Sequence, residues 1–237
     1  MSYVYYVCIA LAAIAMITVM RESRRSGRYA LLTLLQERFR CSDGYSLPLF
    51  LGILAGCTVV FLPVIIFAIK GWAKVEFGSG WHVSNLGLSL LVVAVLFVWA
   101  AVEELIFRGA VLELACSHWP RWFALLASAI VFSGAHIGHS KPDPLTLFVQ
   151  FLDGVAFGIL YLSTGNLWAS TAWHAAKNIS VWFIGSFPYG FPQGPMRISY
   201  SEPVDSLRLV HVLVTIVVVV VAAILLWIFP MRRVEDV

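Results

Sequence analysis

Seven apolar runs divide this chain: Tyr3–Met20, Leu47–Ile69, Leu86 to about Ala115, Trp122–Ile137, Leu145–Leu162, Leu167–Gly185 and Leu209–Phe229. A spanning helix needs about 20 mostly apolar residues, and most of these runs reach or approach that length. In hydrocarbon the backbone must satisfy its own hydrogen bonds, so such runs form helices. Only 12% of the 237 residues are charged and 60% are hydrophobic, whereas soluble domains carry about a quarter charged residues. The expected fold is therefore an all-α, polytopic membrane bundle. Residues 1–237 make one membrane domain, and the polar motifs described below concentrate in a core at 85–185.

The first run has no basic segment before it, and its first arginine is Arg21, so a retained helix is expected over a removed signal peptide. The connection that follows holds Arg21, Arg24, Arg25, Arg28, Arg38 and Arg40, and the tail holds Arg232 and Arg233. Lys70, Lys74, Lys141 and Arg197 occupy the opposite loops. The excess of positive residues marks the cytoplasmic side. With seven spans this puts the amino terminus outside and the carboxyl terminus inside. In the first connection Leu31, Leu34, Leu35 and Phe39 fall at helical spacing. This segment either lies on the anionic leaflet or continues a helix that packs on the bundle. The stretch "SFPYGFPQGPMRISYSEP" reads as a Pro/Gly-rich outer loop. Cys8, Cys41, Cys57 and Cys116 have no metal-ligand spacing and read as free thiols. Nothing points to a nucleic-acid partner; the lipid bilayer is the expected one.

The third run contains "VEELIFRG". A charge inside a bilayer costs about 3 kcal/mol or more, so ionisable groups there are functional candidates. Glu104 and Arg108, four residues apart, share a helix face with the acid nearer the amino end. Glu103 is turned about 100° from that face. Arg108 thus holds Glu104, while Glu103 is left to act as a general base. Two further runs carry "FSGAHIGHS", with His136 one turn after Phe132, and "WHAAKN", with His174 and Asn178 one turn apart. Counted from the cytoplasmic helix ends, Glu103 lies about 18 Å, His136 about 21 Å and His174 about 10 Å into the membrane. Tilt covers that spread, provided the glutamate helix continues to about Ala115. One free carboxylate, two imidazoles and an amide around a polar pocket would make a hydrolytic site. Asp153 is expected at the depth of Lys177 and is its expected partner. His139 reads as an exposed loop histidine; His82, His118 and His211 read as residues at the membrane boundary.

These residues resemble a known family. "EELIFR", "FSGAH" and "HAAKN" are similar, in order, to the EExxxR, FxxxH and HxxxN motifs of the CAAX protease and bacteriocin-processing family of intramembrane endopeptidases, which includes the type II CAAX prenyl proteases. The resemblance covers about a third of the chain, Glu103 to Asn178. It implies seven to eight helices around a polar cavity, and peptide hydrolysis without an acyl-enzyme, near the carboxyl end of a membrane-associated protein or peptide. It also implies roles: Glu103 activates water with help from His136, His174 and Asn178 stabilise the oxyanion, and Glu104 with Arg108 forms a supporting pair. No cofactor is required in this reading. If zinc were used, Glu103, His136 and His174 would be its ligands, although there is no HExxH. The alternatives are a non-catalytic immunity or scaffold protein of the same fold, and a transporter. A lost motif residue would favour the first, and broken helices or an inverted repeat the second; the sequence has none of these.

Overall fold

The computed structural model describes residues 46–78, 85–137, 144–185, 191–202 and 204–228, with isolated residues 10, 13, 14, 17, 18, 21 and 39. Six helices occur among these residues. They are α1 (Ser46–Ile69), α2 (Leu86–Cys116), α3 (Arg121–Ala135), α4 (Pro144–Thr164), α5 (Leu167–Phe183) and α6 (Val204–Ile228). Each corresponds to one of the expected apolar runs. Most of the first run, most of the arginine-rich connection, His82, His139 and the basic tail lie outside the described residues. The expected seven to eight helices are therefore not all among them.

Four helices are long and apolar enough to cross a membrane: α1, α2, α4 and the Leu207–Leu225 part of α6. Leu90, Leu91 and Val98 on α2, Ile65 on α1 and Val217 on α6 are exposed, as lipid-facing side chains are. α3 has 15 residues and α5 has 17. The sequence of α5 explains its difference from a lipid-facing span. Its Ser170, Thr171, His174 and Lys177 are buried together with Leu167, Trp173 and Trp182, and it packs on α1, α2 and α4. A helix buried on nearly every side can carry polar groups wherever its neighbours supply partners.

The start of α5 is set by a tight turn. Gly165 adopts φ 66° between α4 and α5, a left-handed conformation that glycine enters without a Cβ penalty. Asn166 then caps α5 by accepting from the Trp168 backbone N–H at 2.7 Å. The other end of the connection from the first run meets this corner. Trp168 Nε1 donates to the Phe39 carbonyl at 2.8 Å, and the two rings stand edge to face at 5.2 Å. At Phe39, then, the first connection packs on the bundle.

Helices in lipid gain little from burying apolar surface against each other, so close backbone approach matters more. Gly52 and Gly56 lie one turn apart on α1, facing α5. A Cβ at Gly52 would stand 2.5 Å from the Ala169 carbonyl oxygen, and one at Gly56 would overlap the Trp173 carbonyl oxygen. Outside the helices, β1 (Ala73–Phe77) pairs antiparallel with β2 (Met196–Tyr200), with Ala73 opposite Tyr200 and Phe77 opposite Met196. This ribbon ties the segment after α1 to the segment before α6. It also corrects the reading of the region around Met196 as loop only.

Gly56→Val is expected to lower stability by about 2–3 kcal/mol, because the atom it strikes is backbone and cannot swing away. Gly87→Ala, where an added Cβ meets nothing within 4 Å, should leave stability unchanged or slightly higher. Thermal unfolding of the purified variants checks this, and equal midpoints for the two would refute the packing argument.

Candidate active site

The glutamates lie on α2, which runs unbroken past them to Cys116, close to the expected end at Ala115. It is not uniform. Leu86–Ile106 is α-helical, Phe107–Leu112 is π-helical, and Glu113–Cys116 returns to α. A π turn inserts an extra residue and is often found where side chains must be re-aimed. Here it begins one residue before Arg108. Ser128 of α3 donates its hydroxyl to the Phe107 carbonyl at 3.0 Å, giving the π segment a donor from its neighbour.

Glu104 and Arg108 form the expected pair, with Arg108 Nη1 2.9 Å from Glu104 Oε1 and neither side chain exposed. Arg108 Nη2 donates to the Gly154 carbonyl on α4 at 3.2 Å. That approach depends on the glycine: a Cβ at Gly154 would be 2.9 Å from the Ala129 Cα of α3. The guanidinium also lies 4.5 Å from the Phe132 ring centre and 5.0 Å from that of Phe157. Two aromatic faces thus take part of the solvation that water would otherwise give. Glu104 Oε2 and Arg108 Nε have no hydrogen-bond partner among the described residues.

His174 joins the two glutamates. Its Nδ1 is 2.9 Å from Glu104 Oε1 and its Nε2 is 3.4 Å from Glu103 Oε2. The ring stacks on Phe157 at 4.9 Å with an 18° interplanar angle. A carboxylate can only accept, so contact with Glu104 places a proton on Nδ1. Glu103 differs from its neighbour in exposure: its side chain is 22% exposed, that of Glu104 0%. Glu103 also accepts from the Trp99 indole N–H at 2.5 Å.

His136 caps the end of α3. Its Nδ1 is 2.8 Å from the Phe132 carbonyl oxygen, which fixes the neutral ring as the tautomer with its lone pair on Nε2. Phe132 lies against both imidazoles, its ring 4.7 Å from that of His136 and 5.8 Å from that of His174. Phe132 therefore touches both imidazoles and the guanidinium. Asn178 is partly buried one turn beyond His174 and stands outside this contact network. Lys177 donates to Asp153 Oδ2 across α5 and α4, the pairing expected from their depth.

The structure thus brings Glu103, Glu104, Arg108 and His174 into direct contact, and sets His136 against the Phe132 ring that also meets His174. Trp99, Gly154 and Phe157 are additions that the sequence analysis did not single out. Trp99 had a usable signal, since it precedes Glu103 by four residues on the same helix. Gly154 and Phe157 had none, because their contacts cross between helices. Among the described residues no group of three or more His, Cys, Asp or Glu side chains is placed to hold a metal ion. Outside the cluster, His118 is exposed at the end of α2, with Nδ1 3.0 Å from the Leu114 carbonyl oxygen.

The stretch that builds this cluster is also the stretch that matches a known family. Residues 85–180 match the Rce1-like family model, type II CAAX prenyl endopeptidase Rce1-like. The match runs from the start of α2 into α5 and contains every residue of the cluster. It bears out the resemblance seen in the motifs, and it supports a peptidase of the CAAX protease type in an integral membrane protein. No curated protein and no solved structure matches the chain.

Breaking a buried pair leaves an uncompensated charge, at a cost of about 3–5 kcal/mol. Arg108→Met is expected to destabilise the protein by about that much. The double variant Glu104→Gln/Arg108→Met should lose less than the sum of the two single changes. Unfolding measurements on all four proteins of this cycle give the coupling, and additive losses would mean that the pair contributes nothing as a pair.

Proposed function

We propose that the protein is an intramembrane endopeptidase that hydrolyses a peptide bond near the carboxyl end of a membrane-associated protein or peptide. The observation that carries this reading is the unequal pair of carboxylates sharing His174. One is sealed in an ion pair, and the other is partly exposed and 3.4 Å from the imidazole. The Rce1-like match supports the reaction class.

In this reading Glu103 Oε2 takes a proton from water as the water oxygen bonds to the scissile carbonyl carbon. The carbonyl π electrons move onto oxygen. His174 and Asn178 donate to that oxyanion; donation through Nε2 requires the doubly protonated ring, because Nδ1–H is already directed at Glu104. His136 assists through Nε2. Collapse of the intermediate breaks the C–N bond, and Glu103 returns its proton to the leaving amine. No covalent enzyme intermediate and no metal enter these steps. The site would sit in a bundle of seven to eight helices around a polar cavity, with the amino terminus outside and the carboxyl terminus cytoplasmic, as the arginine distribution suggests.

The test is cleavage of prenylated and unprenylated carboxy-terminal peptides by purified protein. A positioned general base contributes about 10²–10⁴ in rate and one oxyanion donor about 10²–10³. Glu103→Gln should therefore reduce kcat at least about 100-fold, and His174→Ala and His136→Ala should reduce it strongly. Folding of Glu103→Gln should be preserved, since that carboxylate is not part of the buried pair. A chelator should leave the rate of the parent unchanged. Full activity in Glu103→Gln would remove this mechanism, and loss of activity on chelation that added zinc restores would replace it with a metal-dependent one.

A further inference from the structure

The β1–β2 ribbon has one apolar face and one charged face. Strand side chains alternate, so Ala73, Val75 and Phe77 share a face with Met196, Ile198 and Tyr200, while Lys74 and Glu76 share the other with Arg197 and Ser199. Val75 and Ile198 pack on the hydrophobic core of the bundle, so the charged face looks away from it. The register also fixes where the peptide groups point. Gly78 N–H donates to the Pro195 carbonyl at 2.8 Å and Ser201 N–H to the Trp72 carbonyl at 2.9 Å, and in an antiparallel pair such bonded positions alternate with non-bonded ones. Lys74 and Glu76 therefore direct their N–H and C=O groups at β2, whereas Ala73, Val75 and Phe77 turn theirs outward along the edge of β1. Among the described residues no strand or other backbone group pairs with that edge. Phe77 at its end is 74% exposed, and the side chains of Lys74 and Glu76 are 77% and 54% exposed.

An open edge is a template for another strand, and the order of charges along this one selects its partner. We propose that β1 pairs antiparallel with β1 of a second copy of this chain, about a two-fold axis through Val75. In that register Lys74 stands opposite the partner's Glu76, and Glu76 opposite the partner's Lys74. Because Arg197 is already opposite Glu76, positive and negative groups then alternate across the strands. A shift of the register by two residues would set Lys74 against the partner's Lys74, or Glu76 against the partner's Glu76, and like charges placed directly opposite are unfavourable. On the apolar face Phe77 falls opposite the partner's Ala73, the smallest side chain on the strand. Val75 exchanges both of its outward hydrogen bonds with the partner's Val75. β2 has no such self-match, since its Arg197 would meet only the partner's Ser199. The axis is perpendicular to the ribbon, so both bundles stay on one side of the four-stranded sheet, as two copies inserted in the same direction require. No residue of the proposed active site takes part, and the pairing does not depend on the peptidase reading.

The test is resonance energy transfer between labelled full-length copies in liposomes, read as the dimer fraction while the protein is diluted in lipid. The parent should dimerise. Lys74→Glu makes the edge wholly acidic and Glu76→Lys makes it wholly basic, so each variant alone should need about tenfold or more higher protein density to reach half dimer. Mixed together, the two variants regain opposite charges at every facing position and should pair with each other as the parent does, which also shows that both have folded. Val75→Pro removes an outward N–H that the ribbon itself does not use and should abolish the dimer, whereas Ile198→Pro on the opposite edge should leave it intact. A parent that stays monomeric at every density, variants that do not recover on mixing, or dimers that survive Val75→Pro would each overturn the proposal.

Discussion

The Glu104–Arg108 pair, sealed from solvent in a helix that passes through the bilayer, is the constraint around which the described structure is arranged. Two buried charges attract strongly, but each has lost its hydration, and the balance for the pair is near zero or unfavourable. What the pair does is demand partners. Arg108 takes the Gly154 carbonyl from α4 and two aromatic faces, Phe132 from α3 and Phe157 from α4. Glu104 takes Nδ1 of His174 from α5. Three helices are thereby fixed relative to α2 by the needs of one ion pair, and the proposed catalytic histidine is one of the groups so fixed.

Such convergence requires helices that approach closely, and the small residues are placed accordingly. Gly154 serves twice: its missing side chain lets α4 lie against Ala129 of α3, and its carbonyl then reaches Arg108. Gly52 and Gly56 do the same for α1 against α5. The π segment of α2 belongs to this arrangement as well. It starts just ahead of Arg108, and the Ser128 hydroxyl satisfies its first carbonyl.

Much of this was legible in the sequence because it is local. The spacing of Glu104 and Arg108 gives their contact directly, and the unbroken apolar run to Cys116 gives the length of α2. Asp153 and Lys177 were legible from depth alone, since an unpaired cation in a span needs a partner at its level. What was not legible depends on contacts between segments far apart in the chain. The strands at Ala73 and Met196 are five residues each and are separated by more than a hundred positions, so neither signals the other. The π segment looks like ordinary apolar helix in the sequence, and the Ser128 hydroxyl that meets its first carbonyl comes from α3. His136 reads as a residue within a span, yet α3 ends at Ala135 and the histidine is its cap. At the end of the helix its Nδ1 meets the Phe132 carbonyl at 2.8 Å.

The two adjacent glutamates show how one helix can make unlike sites from like residues. A step of about 100° around α2 takes one carboxylate into a closed contact with Arg108 and leaves the other with 22% of its side chain exposed. His174 reads both. Because Glu104 and the Phe157 ring hold the imidazole from two directions, Nε2 cannot turn away from Glu103 without giving up a buried hydrogen bond. Trp99, one turn earlier on α2, holds the other oxygen of Glu103. The exposed carboxylate is therefore oriented from both sides before any substrate arrives, and the buried ion pair, which touches no reacting atom in the proposed scheme, sets the geometry of the carboxylate that would.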